Sequence, residues 1–157
     1  MEDIFKDVEP QVLESQINVP YSWWAGDTAS RFFTSLRDAK KLLGTRCDQC
    51  GKVFVPPRKT CPLCFVEEVR WVELSGRGTL ESYTIARRRL AALKKKAPVI
   101  FGLIRLDGAD TAILHQIGEI DPGAVKIGLR VRAHFAAKRS GTIEDIDYFK
   151  PEMEKPC

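Results

Sequence analysis

Four of the five cysteines fall in two matched pairs, Cys47-Asp-Gln-Cys50 and Cys61-Pro-Leu-Cys64, with ten residues between them. A Cys-x-x-Cys turn presents two thiolates to one side of a metal ion, and backbone N–H groups in the turn bond the sulfurs. Two such turns complete a tetrahedral four-thiolate sphere. Gly51 follows Cys50 where such a turn needs a positive φ angle. A disulfide framework suits an exported chain, and nothing here points to export; the paired spacing suits chelation better. Four protein ligands leave no position for water or substrate. Cys47, Cys50, Cys61 and Cys64 are therefore assigned a structural metal and no catalytic role.

The remaining chemistry is sparse. His115 and His134 are the two histidines, both within expected strands, and no Ser-His-Asp or Cys-His arrangement is legible around them. Each reads as a hydrogen-bonded strand residue. Glu144-Asp-Ile-Asp147 reads as a solvated acidic face, and Cys157 as an incidental thiol in a charged tail. The chain does not read as a self-sufficient enzyme. Its strongest polar feature is basic: Ser82 to Leu106 holds Arg87, Arg88, Arg89, Lys94, Lys95, Lys96 and Arg105 with no acid. Against a mild net charge of +4, this patch points to an anionic partner. Coenzyme A, with a 3′-phosphate and a diphosphate, matches Arg and Lys well. Single-stranded nucleic acid is the other candidate, yet its binders need aromatic platforms and none occurs between Tyr83 and Phe101. A solvated basic loop is the plain reading.

These residues must be positioned by a chain of 157 residues, enough for one ordinary domain or two small ones. Three parts are expected: an N-terminal helical segment over 1–44, a metal-binding segment over 45–70 and a β-domain over 71–157. In the first, Ala29, Phe32, Phe33, Leu36, Ala39 and Leu43 form one helical stripe. Asp27 or Thr28 is placed to cap its start and Gly44 its end. Upstream, Tyr21, Trp23 and Trp24 form an arm that either packs on the rest of the chain or contacts a partner. In the second part, Val53-Phe54-Val55 suits a short strand and Pro56-Pro57 a stiff turn. So few residues bury little core, and a metal cross-link is expected. Zinc is favoured over iron because the short gap resembles a ribbon, although thiolates alone accept either. In the third, strands are expected over Arg77–Ala86, Val99–Leu106, Thr111–Gly118, Arg130–Ala136 and Thr142–Phe149. Five strands with one long connection after the first suit an OB-fold, with an SH3-like barrel as the alternative. The acidic N-terminus lacks a signal-like apolar run, and no stretch reaches the about 20 apolar residues of a membrane span. A cytoplasmic protein is expected.

Several segments occur together in a known order: Trp24-Ala-Gly26, Arg31-Phe-Phe33, Leu43-Gly-Thr-Arg-Cys-Asp-Gln-Cys-Gly51, Val55-Pro-Pro-Arg58, Cys61-Pro-Leu-Cys64 and Glu73-Leu-Ser-Gly-Arg-Gly-Thr79. Over roughly residues 20–150 the chain resembles the zinc-ribbon OB-fold family of acyl-CoA-associated proteins. The resemblance implies a mainly β fold with N-terminal helices, a rubredoxin-like zinc ribbon followed by a five-stranded OB-fold barrel. It implies structural zinc on Cys47, Cys50, Cys61 and Cys64. It also implies a non-catalytic role beside a thiolase-superfamily enzyme. In archaeal mevalonate synthesis a family member bridges acetoacetyl-CoA thiolase and hydroxymethylglutaryl-CoA synthase around a shared coenzyme A site. Others accompany thiolase-like aldolases or acyltransferases in steroid and aromatic degradation. The expected function is thus an acyl-CoA-binding scaffold for a thiolase, with Arg87, Arg88, Arg89, Lys94, Lys95 and Lys96 near the coenzyme A phosphates on charge. A single-stranded nucleic-acid-binding module is the alternative.

Overall fold

The apolar stripe after Gly26 folds as α1 (Asp27–Ala39), with Phe32 and Leu36 on its buried face. The computed structural model describes residues 7–9, 11–67, 69–88 and 97–152. The helix starts without a side-chain cap: Gly26 is the N-cap, and its carbonyl accepts the Ser30 N–H at 2.9 Å. Asp27 lies in the first turn, where its charge suits the helix dipole. The helix also stops before the expected Gly44. Lys40 turns left-handed at φ 54°, and the Lys41 N–H reaches back to the Ser35 carbonyl at 3.2 Å. The helix thus ends on a left-handed residue that is not glycine.

Beyond Lys41 the chain is strand, not helix. β1 (Leu42–Cys47) pairs antiparallel with both β2 (Val53–Phe54) and β3 (Val69–Leu74), giving a three-stranded sheet in the order β2-β1-β3. Gly44 sits inside β1 because the chain crowds there. A Cβ at this position would lie 2.9 Å from the Phe54 carbonyl oxygen and 3.1 Å from Val55 Cγ2. Thr45, fully buried, is satisfied reciprocally: its hydroxyl accepts the Arg58 N–H at 2.9 Å and donates to the Arg58 carbonyl at 3.0 Å. This bond pins the segment between the cysteine pairs to β1.

The rest closes on itself. β4 (Arg77–Ala86), β5 (Val99–Leu106), β6 (Ala112–Ile117), β7 (Arg130–Phe135) and β8 (Ile146–Pro151) form a closed barrel in the order β4-β5-β6-β8-β7. Gly78 opposite Val131 marks the closure between β4 and β7. β6 and β8 run parallel at Ile117 and Phe149, while the other neighbours are antiparallel. This is the five-stranded OB-fold. The last strand begins later than expected, because Ile143–Asp145 form a 3-10 turn. Asp145 is buried rather than solvated. Its carboxylate accepts the N–H groups of Ser140 and Gly141, each at 2.8 Å, and so fixes the turn that enters β8.

One core runs through all three parts. Phe32 and Leu36 of α1, Leu42 of β1 and Val55 just after β2 share a buried cluster with barrel residues such as Leu80, Ile104 and Phe149. A second, small cluster contains Cys47, Phe54 and Cys61. Among the described residues no helix is long and apolar enough to cross a membrane.

Candidate metal centre and exposed surfaces

β1 delivers Cys47 at its C-terminal end, and two tight turns bring in the other sulfurs. In the first turn the Gly51 N–H donates to the Cys47 carbonyl and the Cys47 N–H to the Lys52 carbonyl, both at 2.9 Å. The second turn repeats this: Phe65 N–H to Cys61 carbonyl and Cys61 N–H to Val66 carbonyl, both at 2.9 Å. The ligand atoms of Cys47, Cys50, Cys61 and Cys64 all lie within 4.8 Å of one another, and Cys50 and Cys61 are 3.7 Å apart. Zn–S bonds of about 2.3 Å at tetrahedral angles require sulfurs about 3.8 Å apart, so the donor set fits zinc. Cys47 and Cys61 are buried, Cys64 is half-buried and Cys50 is exposed, and all four are free of disulfides.

The thiols differ electrostatically. Burial opposes ionisation of Cys61, but the Cys64 and Leu63 backbone N–H groups and the Cys47 and Cys50 thiols outweigh it and bring its pKa down to about 7. Burial, with hydrogen bonding to Cys50, Cys61 and Cys47, pushes Cys64 up to about 12. Cys64 thus resists ionisation among its neighbouring sulfurs, a cost that a bound dication relieves.

The basic run is divided by what the structure describes. Arg87 and Arg88 leave the end of β4 exposed, whereas Arg89, Lys94, Lys95 and Lys96 lie outside the described residues, as does Cys157. Arg105 pairs with Glu81 on the neighbouring strand. The outer face of β5 and β6 carries exposed Leu103 directly opposite exposed Leu114.

Both histidines serve the barrel wall. His115 Nε2 lies 3.3 Å from the Ile143 carbonyl and its ring meets Phe149 edge-on at 5.6 Å. His134 stacks on Tyr148 at 4.7 Å, and the Tyr148 hydroxyl donates to Glu119 at 2.6 Å.

The aromatic residues near the N-terminus separate into two groups. Phe32 is buried and Phe33 packs against it at 5.4 Å, while Arg31 lies 4.5 Å over the Trp71 ring and ties α1 to β3. Tyr21, Trp23 and Trp24 instead remain 81%, 74% and 74% exposed. Among the described residues the arm does not pack on the rest of the chain. Sequence reasoning singled out neither Leu63 nor Phe65, which are also exposed; the available signal was Phe65 standing after Cys64 where Gly51 stands after Cys50.

Comparison with known proteins agrees with this architecture. The family profile described as ChsH2, rubredoxin-like zinc ribbon domain, matches residues 35–70, and that described as ChsH2, C-terminal OB-fold domain, matches residues 71–136. A DUF35 domain-containing scaffold protein of Methanocaldococcus jannaschii is 32% identical over 126 residues, covering 77% of this chain and 89% of the relative. The benzoylsuccinyl-CoA thiolase subunit BbsA of Thauera aromatica is 38% identical over 68 residues, covering 43% of this chain and 46% of that subunit. The solved structure of the Ltp2-ChsH2(DUF35) aldolase shares the fold with a TM-score of 0.61 and 23% identity, over 77% of this chain and 91% of the matched one.

Proposed function

This chain belongs to the DUF35 family of scaffold proteins, and from that premise we propose that it is a non-catalytic partner subunit of a thiolase-superfamily enzyme. The observation that carries the reading is the arm. Tyr21, Trp23 and Trp24 hold large apolar surfaces in water, and such residues dominate protein interfaces. That one relative is a thiolase subunit supports this class of partner. In this reading Cys47, Cys50, Cys61 and Cys64 hold one zinc that shapes the ribbon (45–70), between the helical segment (1–44) and the OB-fold domain (71–157). The OB-fold takes coenzyme A or a short acyl-CoA, with its phosphates near Arg87, Arg88, Arg89, Lys94, Lys95 and Lys96. In its most specific form the scaffold joins acetoacetyl-CoA thiolase to hydroxymethylglutaryl-CoA synthase in the cytoplasm.

A pull-down from native extract with mass spectrometry tests the partner. A thiolase-superfamily enzyme should be recovered, and Trp23→Ala with Trp24→Ala should weaken the pair at least about tenfold. Recovery of no thiolase-type enzyme, or acyl-CoA turnover by the isolated chain, would refute the reading. Calorimetry tests the ligand: neutralising all six basic residues should weaken coenzyme A binding, and added salt should weaken it in the wild type. Tighter binding to oligonucleotides than to coenzyme A would favour a nucleic-acid-binding module instead.

A further inference from the structure

The two cysteine turns match in their hydrogen bonds but not in one residue. Gly51 closes the first turn at φ 72°; the equivalent residue of the second is Phe65, at φ 58°. Glycine adopts this left-handed backbone freely, whereas a bulky L-residue is an outlier there. Phe65 gains no burial in exchange. Its side chain is 82% exposed, outside both buried clusters, and Leu63 of the same turn is 64% exposed. An aromatic residue that strains the backbone and faces water is not explained by the stability of its own chain. Strain retained in this way marks a functional position.

We infer that Phe65, with Leu63 beside it, is an apolar anchor that the metal-held turn inserts into a pocket on the partner enzyme. This rests on the partner-subunit reading above. Lys59 and Glu67, exposed near the turn, pair with each other at 3.2 Å and offset one another, while the turn itself presents the apolar Leu63 and Phe65. A Phe side chain buries about 150–250 Å². Even with Leu63 the tip falls well short of the about 800 Å² per partner of a stable interface. A second copy packed tip to tip about a two-fold axis would bury only these same side chains. A larger partner that also covers the arm supplies the remaining area, with the tip as a local anchor. A turn fixed by four thiolates loses little freedom on docking.

The test compares the full-length wild type with Phe65→Gly, Phe65→Ala and Leu63→Ala, using the thiolase-superfamily enzyme identified in the pull-down. Phe65→Gly should keep one equivalent of zinc and melt at the same or a higher temperature, because glycine relieves the backbone. Its Kd for the enzyme should nonetheless rise at least about tenfold, the loss typical of an anchor residue. Phe65→Ala should bind as weakly as Phe65→Gly, and Leu63→Ala should show a smaller loss. Wild-type affinity in Phe65→Gly would overturn the anchor while leaving the partner reading intact. Loss of zinc or a lower melting temperature in that variant would assign Phe65 to holding the ribbon and overturn it too. A wild-type dimer abolished by Phe65→Gly in gel filtration would assign the tip to a second copy, against this proposal. If the wild type itself captures no such enzyme, both readings fall together.

Discussion

Asp110 grips Val53 by both of its backbone polar groups. The Asp110 N–H donates to the Val53 carbonyl at 2.8 Å, and the Asp110 carboxylate accepts the Val53 N–H at 2.9 Å. The other carboxylate oxygen accepts Lys52 Nζ at 2.8 Å. Thr111 repeats the pattern with its hydroxyl, accepting from the Val55 N–H at 2.8 Å and donating to the Val55 carbonyl at 3.0 Å. The turn between β5 and β6 thus takes the place of a fourth strand along β2. It satisfies an edge that would otherwise stay open, and it joins the metal-bearing sheet to the barrel.

Asp110→Ala should therefore destabilise the chain by about 1 kcal/mol near neutral pH, a partly exposed hydrogen bond's worth after solvent screening. The side-chain bonds from Lys52 and the Val53 N–H hold the Asp110 pKa below its ordinary value. The folded state therefore binds this proton more weakly than the unfolded chain. The stabilisation is complete above the unfolded carboxylate value of about 3.9 and is lost as pH falls through the lower folded one. Urea titrations of wild type and variant should differ at pH 7 and converge below about pH 4. A constant difference across that window would show that Asp110 acts other than through its charge.

Gly44→Ala should cost about 1–3 kcal/mol, because the added carbon meets a backbone oxygen that cannot move without breaking the pairing of β1 with β2. Zinc retention under a competing chelator should fall with it, since β1 carries Cys47. Wild-type stability in thermal melts would show that β2 shifts freely.

Elemental analysis should find about one zinc per chain, and Cys47→Ser or Cys64→Ser should lose it. The small cluster beside the metal contains Cys47, Phe54 and Cys61, so two of its buried members are themselves thiolate donors. Chelation should then lower the melting temperature and expose the turns to protease. Purified protein with less than about a tenth of an equivalent of any metal would remove the claim.

Leu36→Ala should cost about 2–5 kcal/mol, the range for a fully buried leucine. Because Leu36 shares its cluster with both sheets, amide exchange should accelerate together in β1 and in β5. Acceleration confined to β1 would separate the two.

Much of this arrangement is legible in the sequence. The cysteine spacing identifies the metal cluster, and the expected Arg77–Ala86 and Val99–Leu106 coincide with β4 and β5. Other features are hidden for local reasons. The helical stripe runs on into Leu43 because that residue packs against the core from β1, so periodicity alone carries the helix too far. Its true end, Lys40, has a side chain that gives no warning of a left-handed turn. β3 escapes because Val69-Arg-Trp71-Val-Glu-Leu74 lacks strict alternation, with neighbouring Trp71 and Val72 both half-buried. Glu144-Asp-Ile-Asp147 looks uniformly acidic, and only the fold distinguishes Asp145, folded over the Ser140 and Gly141 amides. Nor can composition say whether the arm is packed or bare, since an aromatic cluster suits either.

The cluster that threads α1, the metal-bearing sheet and the barrel also has a metric consequence. Parts joined by a flexible linker would let the spacing between bound molecules fluctuate. Parts keyed into one another by Phe32, Leu36, Leu42 and Val55 hold the turn at Leu63 and Phe65 in register with the end of β4 at Arg87 and Arg88. The chain is then a gauge: whatever docks on the metal-bearing turn and whatever docks at the barrel are set a constant distance apart, and an insertion between β3 and β4 would alter that distance before it altered either contact.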